Sequence, residues 1–300
     1  RTFAQQMASN FDALEPEWEN LLAGVAMAHG LEAWDLVLGS VDALTAPWFA
    51  RARFSQARQG FRLALDAATA LGDESRQARY AYFLAKAHLR QDDYATARQL
   101  LERAIGVFQP MNDLPRLADA YVDLADVAFE QAEFGEAGAS LAAANLIYQE
   151  LHQPVGLATV KCRQAHIAYV EDRDDDARRL CEQGLNCLPP GDGAIVRSRT
   201  LRLLTDLALR ARQLNEAADY CQQAQAANQV VNDPTESAAI LYAQAKLDHF
   251  LGDHTTALAS AIRSAQLYAA MGDRKATAIV NHFVGRLHLA CQDKAAARAT

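Results

Sequence analysis

The sequence predicts an all-α protein, a solenoid of antiparallel helix hairpins. Three observations carry this reading. Alanines stand 40 residues apart at positions 57, 97, 137, 177, 217, 257 and 297. Residues that tolerate a left-handed backbone recur at the same period: Gly72, Asn112, His152, Asp192, Asn232 and Gly272. The composition suits helices, with 51% hydrophobic residues, abundant alanine, and only 15 glycines and 8 prolines in 300 residues.

The period organises each repeat. A second small-residue register runs through Ala78, Ala118, Ala158, Ser198, Ala238 and Ala278. A third runs through Ala64, Ala104, Ala144, Gly184, Ala224 and Ser264. Small residues at fixed places mark close approaches of helix backbones. The Gly72-type positions end one hairpin, since a left-handed residue commonly terminates a helix. Each is preceded by an apolar residue in most repeats, as at Leu71, Met111 and Val231, placed to cover the helix end. Breaks near 92, 132, 172, 212 and 252 divide each repeat into helices A and B. Pro189-Pro190-Gly191 stops one B helix early. Apolar residues at 3–4 spacing, such as Leu100, Leu101, Ala104, Val107 and Phe108, give each helix a buried stripe. One hairpin cannot bury both faces, so neighbours stack. Residues 31–300 hold about six full repeats and a truncated one, with 293–300 reading as the start of a further B helix. The expected native chain continues past Thr300, leaving an apolar C-terminal face on this segment.

Ala85, Tyr94, Ala97, Leu101 and Ala104, and then Ala125, Phe134, Ala137, Leu141 and Ala144, follow a recognisable order. A small residue late in helix A precedes an aromatic after the turn, then Ala, a large apolar residue and Ala. This resembles the tetratricopeptide (TPR) family, although the period of 40 exceeds the family's usual length of about 34. Later repeats drift: Asp174 and His254 replace the aromatic, and Cys181 and Cys221 replace the large apolar residue. The resemblance implies a right-handed superhelical solenoid with the A helices on its concave surface, acting as a binding module rather than an enzyme. Residues 11–23, Phe11-Asp12-Ala13-Leu14-Glu15-Pro16-Glu17-Trp18-Glu19-Asn20-Leu21-Leu22-Ala23, resemble the helix that leads into the C-terminal repeats of bacterial STAND-type (NB-ARC) signalling ATPases. Residues 1–30 are therefore read as an N-terminal helical linker, and an upstream nucleotide-binding domain is implied. The chain itself holds no GxxxxGK[ST] loop.

Several chemistries fall away. A net charge of −8 argues against direct nucleic-acid binding. No apolar run approaches the ~20 residues of a membrane span, and a cytoplasmic location is expected. Five cysteines without a CxxC argue against a disulfide framework and a zinc site. Cys181 and Cys221 read as small buried hydrophobes. Of eight histidines none forms HExxH; His249/His254 and His282/His288 are five and six apart, not the spacing that puts two ligands on one helix face. Asp172, Asp174, Asp175 and Asp176 read as a turn and the first turn of a helix. No cofactor, metal or catalytic residue is expected.

The remaining candidate is the groove. Positions carried over from the family include Arg79, Tyr82, Lys86, Phe129, His166, Tyr169, Arg199, Arg202, Arg210, Tyr242, Lys246, His249 and Arg286. Among the thirty positions mapped, eight are Lys or Arg and four are Asp or Glu, an excess of positive charge in a negative chain. Basic and aromatic lining suits a protein or peptide partner that is acidic or phosphorylated. Two roles fit: the sensor of a STAND-like ATPase or transcriptional regulator, and a free-standing scaffold or quorum-type peptide receptor. On the reading that these are groove residues outside the core, exchanging Arg199 and Arg202 for Glu should weaken a native partner at least tenfold with little loss of helicity.

Overall fold

The computed structural model describes residue 14 and residues 16–299, except the side chains of 292–299. Phe11, Asp12, Ala13 and Glu15 of the linker motif lie outside the described residues. Fourteen helices and no strand occur among the described residues. They are α1 (Trp18–Gly30), α2 (Trp34–Ala50), α3 (Phe54–Ala70), α4 (Glu74–Leu89), α5 (Tyr94–Phe108), α6 (Leu114–Glu130), α7 (Phe134–Glu150), α8 (Pro154–Val170), α9 (Asp174–Cys187), α10 (Ala194–Arg210), α11 (Leu214–Val231), α12 (Pro234–Leu251), α13 (His254–Met271) and α14 (Arg274–Ala299). Hairpin turns fall where the 40-residue register places them.

The turns have a finer period of 20. Glu32, Ala52, Gly72, Asp92, Asn112, Ala132, His152, Asp172, Arg212, Asn232, Gly252 and Gly272 all have φ between +51° and +86°. The N–H after each such residue mostly reaches back five residues to a helix carbonyl: Asp73 to Ala68 (3.0 Å), Glu133 to Ala128 (2.8 Å), Arg173 to Ala168 (2.8 Å) and Gln213 to Ala208 (2.8 Å). This satisfies carbonyls that a helix end would leave orphaned. The same donor residue then caps the next helix. Asp73, Asp93, Asp113, Asp233, Asp253 and Asp273 each accept the N–H three residues on, at 2.8–3.4 Å. Two residues thus end one helix and start the next.

Asp192 departs from this scheme. The two prolines close α9 at Cys187, the linker lengthens, and the positive φ moves to Gly191 (+85°) and Gly193 (+65°). The second departure is at the C-terminus. Residues 293–299 continue α14 instead of opening a B helix. Lys294-Ala295-Ala296-Ala297-Arg298 is a strong helix former with little apolar area to compensate a break.

The chain forms two compact units, Arg1–Ile147 and Tyr148–Thr300. In the first, α1 joins the core through Trp18, Leu22, Val25 and Ala28, packing on α2 and α3. Trp48 meets Phe61 edge-on at 5.5 Å, and Phe61 stacks on Phe83 at 5.4 Å. A Cβ on Gly60 would fall 2.2 Å from the Trp48 ring, so this position requires glycine. The second unit is built on Leu201, Leu203, Leu204, Leu207 and the small-residue slots. Ala57, Ala97, Ala137, Ala177, Ala217 and Ala257 are all fully buried. The slots are tight enough that Ser198 Oγ donates to the Ala224 carbonyl across its hairpin (3.0 Å) and Ser264 Oγ to that of Ala238 (2.7 Å). Burial pushes the Cys181 thiol up and the Cys221 thiol up to about 11, which makes both poor thiolates, in keeping with packing roles.

Two predictions follow from the turns and slots. Ala132→Gly and Arg212→Gly relieve side chains held at positive φ and should each stabilise by about 0.5–1 kcal/mol in urea unfolding. Ala217→Leu overfills a closed slot and should destabilise by roughly 1–3 kcal/mol.

Candidate ligand face

Polar side chains on the A helices mostly reach from one hairpin to the next. In the first unit, Arg79 pairs with Asp42 at 3.1 Å, and Asp42 also accepts the Tyr80 hydroxyl at 2.8 Å. Burial, then the Asp42 bond, pushes the Tyr80 hydroxyl far above its ordinary pKa. Lys86 pairs with Asp123 at 3.4 Å, donates to Tyr82 Oη at 3.2 Å and lies 5.8 Å from the Phe49 ring. Tyr82 itself is buried, packed on Phe83 and Phe108, so it supports the face from the core rather than lining it. Phe129 packs on Phe134 at 5.7 Å.

In the second unit α10 lies directly against α8 on one side and α12 on the other. Their shared face collects most of the expected residues. Arg202 Nε donates to Glu236 at 3.0 Å, Arg199 stands 3.8 Å from the same carboxylate, and Ser198 Oγ bonds it at 3.2 Å. Glu236 is only 3% exposed. Burial opposes the Arg202 charge, but Glu236, Tyr268 and Asp206 outweigh it and hold the guanidinium above its ordinary range. Lys246 binds Asp206 and lies 4.8 Å over the Tyr242 ring. Arg210 covers the Tyr169 ring at 3.8 Å and pairs with Asp172 (3.0 Å) and Asp174 (2.7 Å). Burial and then Asp206 raise the pKa of both Tyr169 and Tyr242. His249 packs on Phe283 at 5.7 Å. Arg286 is exposed and acts on Tyr242 through its charge, opposing that rise.

The positive excess counted along the sequence is therefore largely spent inside the protein. Lys86, Arg202, Arg210 and Lys246 each have a carboxylate from a neighbouring hairpin. Glu236 is the residue that sequence reasoning misses. It sits three residues after the Asp233 cap, the position of a capping-box glutamate, yet its side chain turns to arginines 34 and 37 residues earlier. The Arg199/Arg202 double reversal to Glu accordingly would not be mild. It would set two carboxylates against a buried third, and folding would suffer.

Three arginines gather at one histidine. His166, on α8, is half-buried beside Arg202, Arg163 and Arg199. Burial first, then these three cations, hold its pKa down at about 3. The neutral ring contributes stability above the free-imidazole pKa of about 6.5. Below it the unfolded chain takes up a proton that the fold refuses, so stability declines as pH falls toward 3. His166→Gln should lose less stability than the wild type between pH 6.5 and 4 in urea titrations. Arg202→Ala should cost roughly 3 kcal/mol, because it removes the nearest cation from the buried Glu236 carboxylate, and the added change Glu236→Gln should recover much of that loss.

No family model matches the sequence, and none of the curated proteins matches it. Solved structures do resemble it. A Rap protein complexed with Competence and Sporulation Factor superposes with TM-score 0.65 at 10% identity, over 84% of this chain and 75% of that one. The apo quorum sensor NprR from B. thuringiensis gives 0.59 at 13% identity, over 94% and 84%. A STAND protein with a tetratricopeptide repeat sensor from Pyrococcus horikoshii gives 0.58 at 12% identity, over 96% of this chain but 44% of that protein. With fourteen helices in consecutive packed pairs on a 20-residue turn period, the chain has the fold of a tetratricopeptide-type helical-repeat array.

Proposed function

We propose that this chain is a non-catalytic sensor that binds an acidic peptide or protein segment on the face of α8, α10 and α12. The gathering of Arg163, Arg199 and Arg202 around His166, on the adjacent helices α8 and α10, carries the reading. Burial, and then the charges of Arg202, Arg163 and Arg199, keep this imidazole neutral, and an incoming carboxylate or phosphate beside the three arginines gains charge-assisted hydrogen bonds. Tyr169 and Tyr242, held by Arg210 and Lys246, offer aromatic surface on the flanking helices α8 and α12 for apolar side chains. Preformed ion pairs hold these groups in place, so little ordering is needed on binding.

Two settings suit such a module. As the sensor of a STAND-like ATPase or regulator it would bias an upstream nucleotide-binding switch through its differential affinity for the two states; the repeat sensor of the Pyrococcus protein supports this. The free-standing peptide receptor is favoured by coverage, since the Rap protein and NprR match over three quarters or more of their own lengths. No helix among the described residues is long and apolar enough to cross a membrane.

The test uses Arg199→Gln, which leaves the Arg202–Glu236 pair intact. Fluorescent Asp/Glu-rich, phosphoserine-containing and Lys-rich peptides of equal length are titrated against wild type and variant. The acidic or phosphorylated peptide should bind the wild type preferentially, and Arg199→Gln should weaken it at least about tenfold, the worth of one charge-assisted bond. Equal binding of all three peptides, or an unchanged affinity in the variant, would contradict the proposal.

A further inference from the structure

The turn between α12 and α13 brings together two histidines that sequence spacing keeps apart. His249 lies in the last turn of the A helix, α12, and His254 opens the B helix, α13. Their Nδ1 atoms lie 3.1 Å apart and their ring centroids 4.8 Å. The i,i+4 rule of one helix face does not apply, because the left-handed residue Gly252 folds the chain back between them.

The register shows how unusual this pair is. The corresponding positions elsewhere hold Leu89 and Tyr94, Phe129 and Phe134, Tyr169 and Asp174, and Leu209 and Leu214. Phe129 and Phe134 make an apolar ring contact at 5.7 Å. Only in this hairpin do imidazoles fill both positions, and both rings remain partly open to solvent.

We propose that His249 and His254 form a two-histidine site for a divalent transition metal of the zinc, nickel or copper class. Imidazole nitrogens bind these ions at about 2.0–2.1 Å. Two nitrogens 3.1 Å apart then subtend about 95–102° at the metal, between the angles of square-planar and tetrahedral coordination. Without metal, one Nδ1 donates to the other. On binding, both Nδ1 lone pairs face the ion and the donor's proton moves to Nε2, so the rings stay neutral with no net proton lost. Among the described residues no third His, Cys, Asp or Glu joins the pair. The remaining coordination positions are therefore left to water or to a donor group of a bound partner. Phe283 packs edge-on against His249 and against Tyr242 of the ligand face, which places the metal next to that face.

The test is a titration of the full chain with Ni²⁺ at neutral pH, following heat and thermal unfolding. One saturable equivalent is expected, with a raised Tm because the ion ties α12 to α13. His254→Gln should weaken binding at least tenfold. The double change His249→Leu with His254→Leu installs the pair already present at Leu209 and Leu214, so it should keep the wild-type helicity and lose the bound equivalent. Absence of saturable binding by the wild type would overturn the proposal and leave a hydrogen-bonded pair only. So would undiminished binding by His254→Gln or by the double variant.

Discussion

Everything in this chain hangs on a two-residue turn: a left-handed residue, then a residue whose N–H reaches back five positions and whose side chain often caps the next helix. The turn recurs every 20 residues. It sets helix length, forces adjacent helices antiparallel, and returns each small residue to the same packing slot. Where Pro189 and Pro190 interrupt it, two glycines take over the positive φ. Where it fails to recur after Cys291, α14 runs on to Ala299.

The register has an electrostatic consequence. A side chain on one A helix finds its counterpart about 40 residues away on the next, so charges can be matched between hairpins as core residues are. Arg79 with Asp42, Lys86 with Asp123, Lys246 with Asp206 and Arg202 with Glu236 are all such links. Individually, partly exposed pairs contribute little. The Arg202–Glu236 pair differs, because Glu236 is buried and removing Arg202 takes away its nearest cation. The candidate face is thus a scaffold of internal ion pairs, not a row of free cations.

Much of this was legible in the sequence, and the exceptions have physical causes. Alanines and serines at 40-residue spacing report directly on backbone approach, so the hairpins and their slots could be read. Ala132 and Arg212 could not be recognised as left-handed, because context rather than propensity imposes that conformation on them. Face membership was readable, but occupancy was not: Tyr82 falls on the A-helix face yet is buried, and Glu236 looks like a cap yet serves two arginines. His249 and His254 were set aside because one-helix spacing was the wrong geometry for two residues on opposite sides of a turn.

The proposed site on the α8–α10–α12 face centres on His166 and the three arginines around it. Its most direct test is the titration of the His166 ring nitrogens by ¹⁵N NMR, without and with a saturating acidic peptide. The account predicts that His166 stays neutral well below the free-imidazole range in the unbound protein, and that its midpoint rises when an anion offsets Arg163, Arg199 and Arg202. A midpoint near that of free imidazole in the unbound protein, or one that does not move with peptide, would contradict it.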